Sequence, residues 1–284
     1  MTDLAVPEAE EGVGAETPRP QALLLAFLGG HVLDRGIHVA TASVLDVLDR
    51  AGISEHATRS TLSRMARRGL LHRVRRGRNV YIGLTGRSRA ILHDGERRMW
   101  RDGVVDRQWD GTWTLLGFSM PESWQRQRHA LRSRLLWAGF GGLQGGLWIA
   151  PGDVDVPPLL DGLGADEHVK VFQARALPPT DLAEIIREAW DVERLAERYR
   201  AFLARWEDPP AHAPDSLARD LLLESGWLQT IRADPRLPRE HLPADWPAEP
   251  AQERFFALSA EIKPAARAIA AEVLDTITDA EAED

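Results

Sequence analysis

Residues 54–85 read SEHATRSTLSRMARRGLLHRVRRGRNVYIGLT. The first half predicts a capped helix. Ser54 is a good N-cap, and Glu55 falls in the first turn, where the helix dipole favours an acid. Thr58, Thr61, Leu62 and Met65 recur at helical spacing and form the stripe to be buried. His56, Arg59, Ser60, Ser63, Arg64 and Arg67 lie largely off that stripe. Gly69 ends the helix, and Leu70 and Leu71 begin a strand. Gly77, between Arg76 and Arg78, supplies a tight hairpin turn. Val80, Ile82 and Leu84 alternate with Tyr81 and Gly83 as the return strand. A basic helix followed at once by a basic hairpin is the plan of a winged helix-turn-helix that binds duplex DNA.

Outward from this stretch, Thr85 caps a further helix to about Trp100. Upstream, Gln21 to Leu33 is a compact apolar helix with Pro20 near its start, and Gly29-Gly30 allow it to bend or stop. Val39 to Asp49 carries Val44, Leu45 and Leu48 at helical spacing, with Thr41 or Ser43 as its cap. Residues 1–19 are acidic and lack a periodic apolar pattern, so a disordered tail is expected there.

Downstream, Asp102 to Asp110 reads as a linker. An apolar strand from Trp113 to Pro121, a basic amphipathic helix over Glu122 to Ala138, a short strand near Gly141 to Leu143 and a strand at Leu147 to Ala150 follow. A short helix within Val156 to Gly162 and a strand at Val169 to Ala174 complete the pattern β-α-β-β-α-β, a ferredoxin-like unit. After Pro178-Pro179 the pattern is helical, at Asp181 to Trp206, Ser216 to Ile231 and Pro250 to Ile277, with a frayed acidic end at Asp279 to Asp284. The fold class expected is α+β. A winged helix-turn-helix occupies 20–101, a ferredoxin-like central domain 111–177 and a helical domain 178–278.

The totals bound the function. A chain of 284 residues, 44% hydrophobic and 27% charged, reads as two or three soluble globular domains. No apolar run reaches the roughly 18 residues of a membrane span. Glu8, Glu10, Glu11 and Glu16 near the start fit neither a secretory signal nor a transit peptide, so a cytoplasmic protein is expected. The absence of cysteine excludes disulfides, thiolate metal sites and a cysteine nucleophile. The net charge of −8 argues at first against a nucleic-acid partner, but its distribution reverses this. Arg35 to Arg101 holds 15 basic and 5 acidic side chains, against 20 and 38 in the remainder. A basic segment in an acidic protein is the asymmetry of a DNA-binding module with a regulatory body. Because lysine occurs only at Lys170 and Lys263, arginine is the default base here and its use in that segment adds nothing.

The DNA reading places Arg59, Ser60, Ser63 and Arg64, with His56 and Arg67, at the major groove, where arginine reaches guanine edges. Arg75, Arg76, Arg78 and Asn79 on the wing contact phosphates or enter the minor groove. The alternative is a winged helix that binds protein. Against it, Arg73, Arg75, Arg76 and Arg78 lie within six residues, a repulsion that a polyanion relieves. The ten tryptophans suit a core, or stacking on an aromatic effector. The glycine-rich run at 141–146 lacks the Lys-Ser/Thr and the helix of a phosphate cradle, so a turn is expected. No hydrolase or zinc-protease motif is present, the nine histidines show no metal-ligand spacing, and the acids from Asp181 to Glu193 read as a solvated helix face.

In several of its motifs, taken in order, the chain resembles the PaaX-type repressors of phenylacetic acid degradation. The resemblance rests on LLLAFLG at 23–29, ISEHATRSTLSRMARRGL at 53–70 and WDGTWTLL at 109–116. It continues in LRSRLLWAGFG at 131–141, GLWIAP at 146–151, AWDV at 189–192 and YRAFL at 199–203. It implies a homodimeric repressor of a catabolic operon, released from operator DNA by an aryl-coenzyme A thioester such as phenylacetyl-coenzyme A. The middle domain is similar to the small nuclease-like subunit of CRISPR spacer integration, which uses an Asp at the end of its first strand. Here that place reads Phe118-Ser119-Met120-Pro121, with no carboxylate. A regulator rather than an enzyme is therefore expected, without a metal or resident cofactor. A metal-dependent nuclease on the central domain is the rival. Effector-binding residues stay unassigned. Arg126, Arg128, Arg132 and Arg134 are candidates for the coenzyme A phosphates no better than a solvated face.

Overall fold

A computed structural model describes residues 19–101, 103–207, 213–232 and 234–283, so the expected tail lies outside the described residues except for Arg19. The chain groups into two compact units. One comprises residues 103–201 and 230–250, and the other combines the winged stretch with 202–229 and 251–283.

In the winged unit, α1 (Pro20–His31) starts on a proline, whose fixed φ suits the first helical turn. Gly29 and Gly30 do not stop it. Next, β1 (Ile37–Ala40) is a strand where the sequence predicts the start of a helix, and α2 (Thr41–Arg50) begins only after it. Neither predicted cap caps α2. Thr41 Oγ1 donates to Val80 O at 2.9 Å and Ser43 Oγ to Val273 O at 3.1 Å, so both hydroxyls hold strands and the chain's later segment instead. Then α3 (Glu55–Arg67) follows the sequence reading closely. Ser54 Oγ accepts from Ala57 N at 3.3 Å, and Thr58, Thr61, Leu62 and Met65 are all buried. Gly69 at φ +68° ends it.

The hairpin of β2 (Leu71–Arg76) and β3 (Asn79–Leu84) closes on an Arg76↔Asn79 pair, with Gly77 at φ +56° in its two-residue turn. Thr85 caps α4 (Gly86–Trp100), accepting from Ser88 N at 3.3 Å.

The central stretch contains β4 (Trp113–Phe118), α5 (Gln125–Trp137), β5 (Gly141–Gly142), β6 (Leu147–Pro151), α6 (Pro157–Leu160) and β7 (Val169–Ala174). The strands order β5-β6-β4-β7, with every pairing antiparallel. This is the arrangement that the chain order β-α-β-β-α-β gives a ferredoxin-like sheet. Leu116, Leu131, Leu135, Phe140 and Ala150 form its core. The glycine run has a packing cause. A Cβ on Gly141 would lie 2.5 Å from Ala189 O and 2.7 Å from Trp190 Cε2.

Beyond this lie α7 (Leu182–Ala189), α8 (Val192–Glu207), α9 (Ser216–Ile231) and α10 (Ala248–Val273); residues of α8, α9 and α10 belong to both units. Here the sequence reading needs a correction. The last helix ends at Val273, not Ile277, and is followed by β8 (Thr276–Thr278) and α11 (Asp279–Glu283). Strand β8 pairs with β1, giving the winged sheet the order β2-β3-β1-β8. Of the end expected to fray, residues 279–283 are helical, with Asp279 N donating to Gly36 O at 2.9 Å. Half of the ten tryptophans are core: Trp113, Trp190, Trp206, Trp227 and Trp246 are buried, and Trp227 stacks on Phe255 at 5.0 Å.

Candidate nucleic-acid interface

Burial of Thr58, Thr61, Leu62 and Met65 turns the opposite side of α3 to solvent. His56, Arg59, Ser60, Arg64 and Arg67 are exposed there and Ser63 is half-buried. On the hairpin Arg75, Arg78 and Asn79 are exposed and Arg76 is half-buried. Helix and wing do not merely neighbour each other in sequence. They share a cleft of about 470 Å³, lined by Arg59, Leu62 and Ser63 from α3, by Arg73, Arg78 and Asn79 from the hairpin, and by Thr41 and Leu45 from α2. Arg73 joins this cleft although the sequence-derived set omits it. Its signal was the alternation along β2, which puts Arg73 and Arg75 on one face of the strand.

Several of these side chains are already oriented. Arg59 pairs with Glu55 one turn away, with Nη2 2.7 Å from Oε1. Both are exposed, so the pair is worth little and exchanges readily for a stronger anion. Arg64 Nη2 donates to Thr61 Oγ1 at 3.0 Å, and Arg75 Nε donates to Gly77 O at 3.4 Å across the turn. The arrangement presents guanidinium groups on two sides of a cleft, with short hydroxyl and amide side chains between them. Such a surface suits a polyanion whose base edges must also be touched.

The central stretch offers less. Arg128 Nη2 donates to Met120 O at 2.9 Å and Pro121 O at 3.2 Å. Arg134 is buried, its Nη1 donating to Leu159 O at 2.9 Å and Asp161 O at 2.8 Å. Both tie helix α5 to its own unit, and only Arg126 and Arg132 of the four candidates stand exposed. Among the described residues no group of three or more His, Cys, Asp or Glu side chains is arranged to hold a metal ion, and no helix is long and apolar enough to cross a membrane.

Comparison with known proteins covers nearly the whole chain. Residues 19–88 match the family described as PaaX-like protein, residues 106–186 the PaaX protein central Cas2-like domain, and residues 190–272 the PaaX-like protein C-terminal domain. The transcriptional repressor PaaX of Escherichia coli (strain K12) is 26% identical over 282 residues, covering 94% of this chain and 88% of that protein. Among solved structures, the uncharacterized protein Rv0674 from Mycobacterium tuberculosis superposes with a TM-score of 0.59 at 24% identity, over 89% of this chain and 99% of the other, a likeness of fold. With three successive domains matched in order, the chain belongs to the PaaX-like family.

Proposed function

We propose that this protein is a cytoplasmic transcriptional repressor, not an enzyme, that binds operator DNA as a homodimer and is released by an aryl-coenzyme A thioester such as phenylacetyl-coenzyme A. The observation that carries the reading is the shared cleft, in which Arg59 and Ser63 of α3 face Arg73, Arg78 and Asn79 of the wing. In this reading α3 enters the major groove, with Arg59, Ser60, Ser63 and Arg64 against base edges and His56 and Arg67 at its margins. Arg75, Arg76, Arg78 and Asn79 hold the flanking backbone. Two copies related by a twofold axis address half-sites about one helical turn, roughly 34 Å, apart. The repressor name of the Escherichia coli relative supports the regulatory class. The effector rests on the family resemblance alone, since neither the arginines of α5 nor the glycine run offers a built phosphate site.

The test is a gel shift with the DNA upstream of the protein's own gene, with and without phenylacetyl-coenzyme A. A shift that the thioester releases supports class and effector together. A shift that it leaves intact keeps the regulator and discards this ligand. No shift at low salt, on this or any duplex, overturns the DNA reading.

A further inference from the structure

One row of residues crosses all four strands of the winged sheet. His72 of β2 lies opposite Gly83 of β3, and His38 of β1 lies opposite Ile277 of β8. Register places His38 on the other side of Gly83, because Val39 pairs with Ile82 in the antiparallel ladder. Strands two apart are separated by about 9.6 Å, twice the usual spacing. The two imidazoles span that gap and meet over the glycine, with their Nε2 atoms in hydrogen-bond contact. A Cβ at position 83 would overlap both Nε2 atoms, so glycine is what makes the contact possible.

The other side of His38 faces the segment after α10. Its Nδ1 lies 3.1 Å from Asp279 Oδ1, and Asp279 Oδ2 lies 3.6 Å from Arg89 Nη2 on α4. The rest of that segment is bound to the sheet and to the residues flanking β1. The Tyr81 hydroxyl donates to the Asp275 carboxylate at 3.1 Å, Asp275 N donates to Ser43 Oγ at 2.9 Å, and Asp279 N donates to Gly36 O at 2.9 Å.

We infer that residues 274–283 are a positioning strap for the wing, in which Asp279, acting through His38, fixes His72 at the root of β2. The Asp279 carboxylate, 3.1 Å from Nδ1 of His38, favours the proton on that nitrogen, which leaves Nε2 of His38 bare to accept from Nε2–H of His72. A carboxylate that fixes the tautomer of a histidine in this way fixes its ring as well. The charged groups facing His38 are Asp279 of α11 and Arg89 of α4. Burial lowers the pKa of His38 from 6.5, His72 and Arg89 act in the same direction, and Asp279 opposes them. His38 is therefore neutral at pH 7.5, with Nε2 able to accept.

The strap and the proposed function fail separately. Hydrogen exchange of the β2 and β3 amides in the full chain, with α3 as the internal reference, reads the strap without DNA. Affinity for a labelled duplex from upstream of the protein's own gene reads its consequence, and only this readout rests on the DNA-binding reading. At pH 7.5 Asp279→Ala is expected to lower wing protection roughly two- to tenfold, the worth of one hydrogen bond. Asp279→Asn, whose Oδ1 still accepts, should restore part of it. His38→Gln, which can accept from His72 and donate towards Asp279, should keep protection near that of the wild type, whereas His38→Leu, which can do neither, should lose it as Asp279→Ala does. Unchanged protection in Asp279→Ala or in His38→Leu overturns the strap. A wild type that binds no DNA overturns the DNA reading and leaves the exchange result to decide the strap.

Discussion

At the scale of the residue, the exposed side of α3 divides into side chains with distinct work. Arg64 is tethered to Thr61 and aimed from the exposed face, so Arg64→Ala should weaken specific DNA binding by roughly 1–3 kcal/mol and relax base preference at one position. Titration against a panel of single-base operator variants checks this, and an equal loss on every sequence would make Arg64 a backbone contact. The buried ionisable groups of the same unit make a prediction about stability. Burial pushes Glu224 up to about 7, with Asp220 beside it acting in the same direction, although Lys263 Nζ hydrogen-bonds its carboxylate. Burial pushes His31 down to about 4. The folded protein thus holds the Glu224 proton more tightly than the unfolded chain, and this contribution falls as pH rises from 4.5 through 7. For His31 the folded state resists protonation, and its contribution rises with pH between 4 and 6.5. The two slopes oppose each other. Denaturant melts from pH 4.5 to 6.5 should show His31→Leu losing stability relative to wild type as pH rises, and Glu224→Gln gaining it. Parallel pH profiles for all three proteins would contradict the assignment of either group. The arginines of α5 show what sequence could not tell. Spacing alone does not reveal that Arg128 and Arg134 are spent on carbonyls of their own unit, because those carbonyls lie up to 27 residues away.

At the scale of the element, local signals carried the reading wherever a segment's structure is decided locally. The cap of Ser54, the stripe on α3, the turn at Gly77 and the cap of Thr85 all depend on neighbours within a few residues. The β-α-β-β-α-β order was readable for the same reason, and the sheet order follows from it. Strands β1 and β8 were not readable. Each is at most four residues long and is defined by pairing with distant strands, β1 with β3 (Val39↔Ile82) and with β8, and β8 with β1 more than 200 residues back in the chain. Val39, read as the start of α2, and Ile277, read as the end of α10, fit either structure locally. The exposed polar face of α3 was readable because exposure on an amphipathic helix follows from the buried stripe. The cleft that joins them to Arg73 was not, since it depends on how the hairpin folds back towards α3. The glycine run gives an element-scale prediction. Gly141→Ala should cost roughly 1–3 kcal/mol by forcing β5 away from Ala189 and Trp190, whereas Gly142→Ala, with nothing within 4 Å of its Cβ position, should be near neutral. Equal denaturation midpoints for the two variants would contradict the packing explanation.

At the scale of the whole molecule, the charge asymmetry has a use. A chain of net charge −8 concentrates its net positive charge in the stretch from Arg35 to Arg101, so a nucleic acid would be drawn to that stretch and repelled by the net acidic remainder. The absence of a carboxylate at the end of β4 makes a further prediction. Labelled duplex incubated with the protein and Mg²⁺ or Mn²⁺ should remain intact, and cleavage would restore the nuclease reading. The central claim is that α3 and the wing together form the DNA-binding face. It is tested most directly by the slope of log K against log[salt] for operator binding by the wild type and by Arg78→Ala, a wing residue of the shared cleft. The account predicts a steep negative slope for the wild type and weaker binding by the variant on all sequences, with the slope flattened by about 1 as one phosphate contact is lost. A wild-type affinity that does not change with salt, or an Arg78→Ala slope equal to that of the wild type, would contradict it.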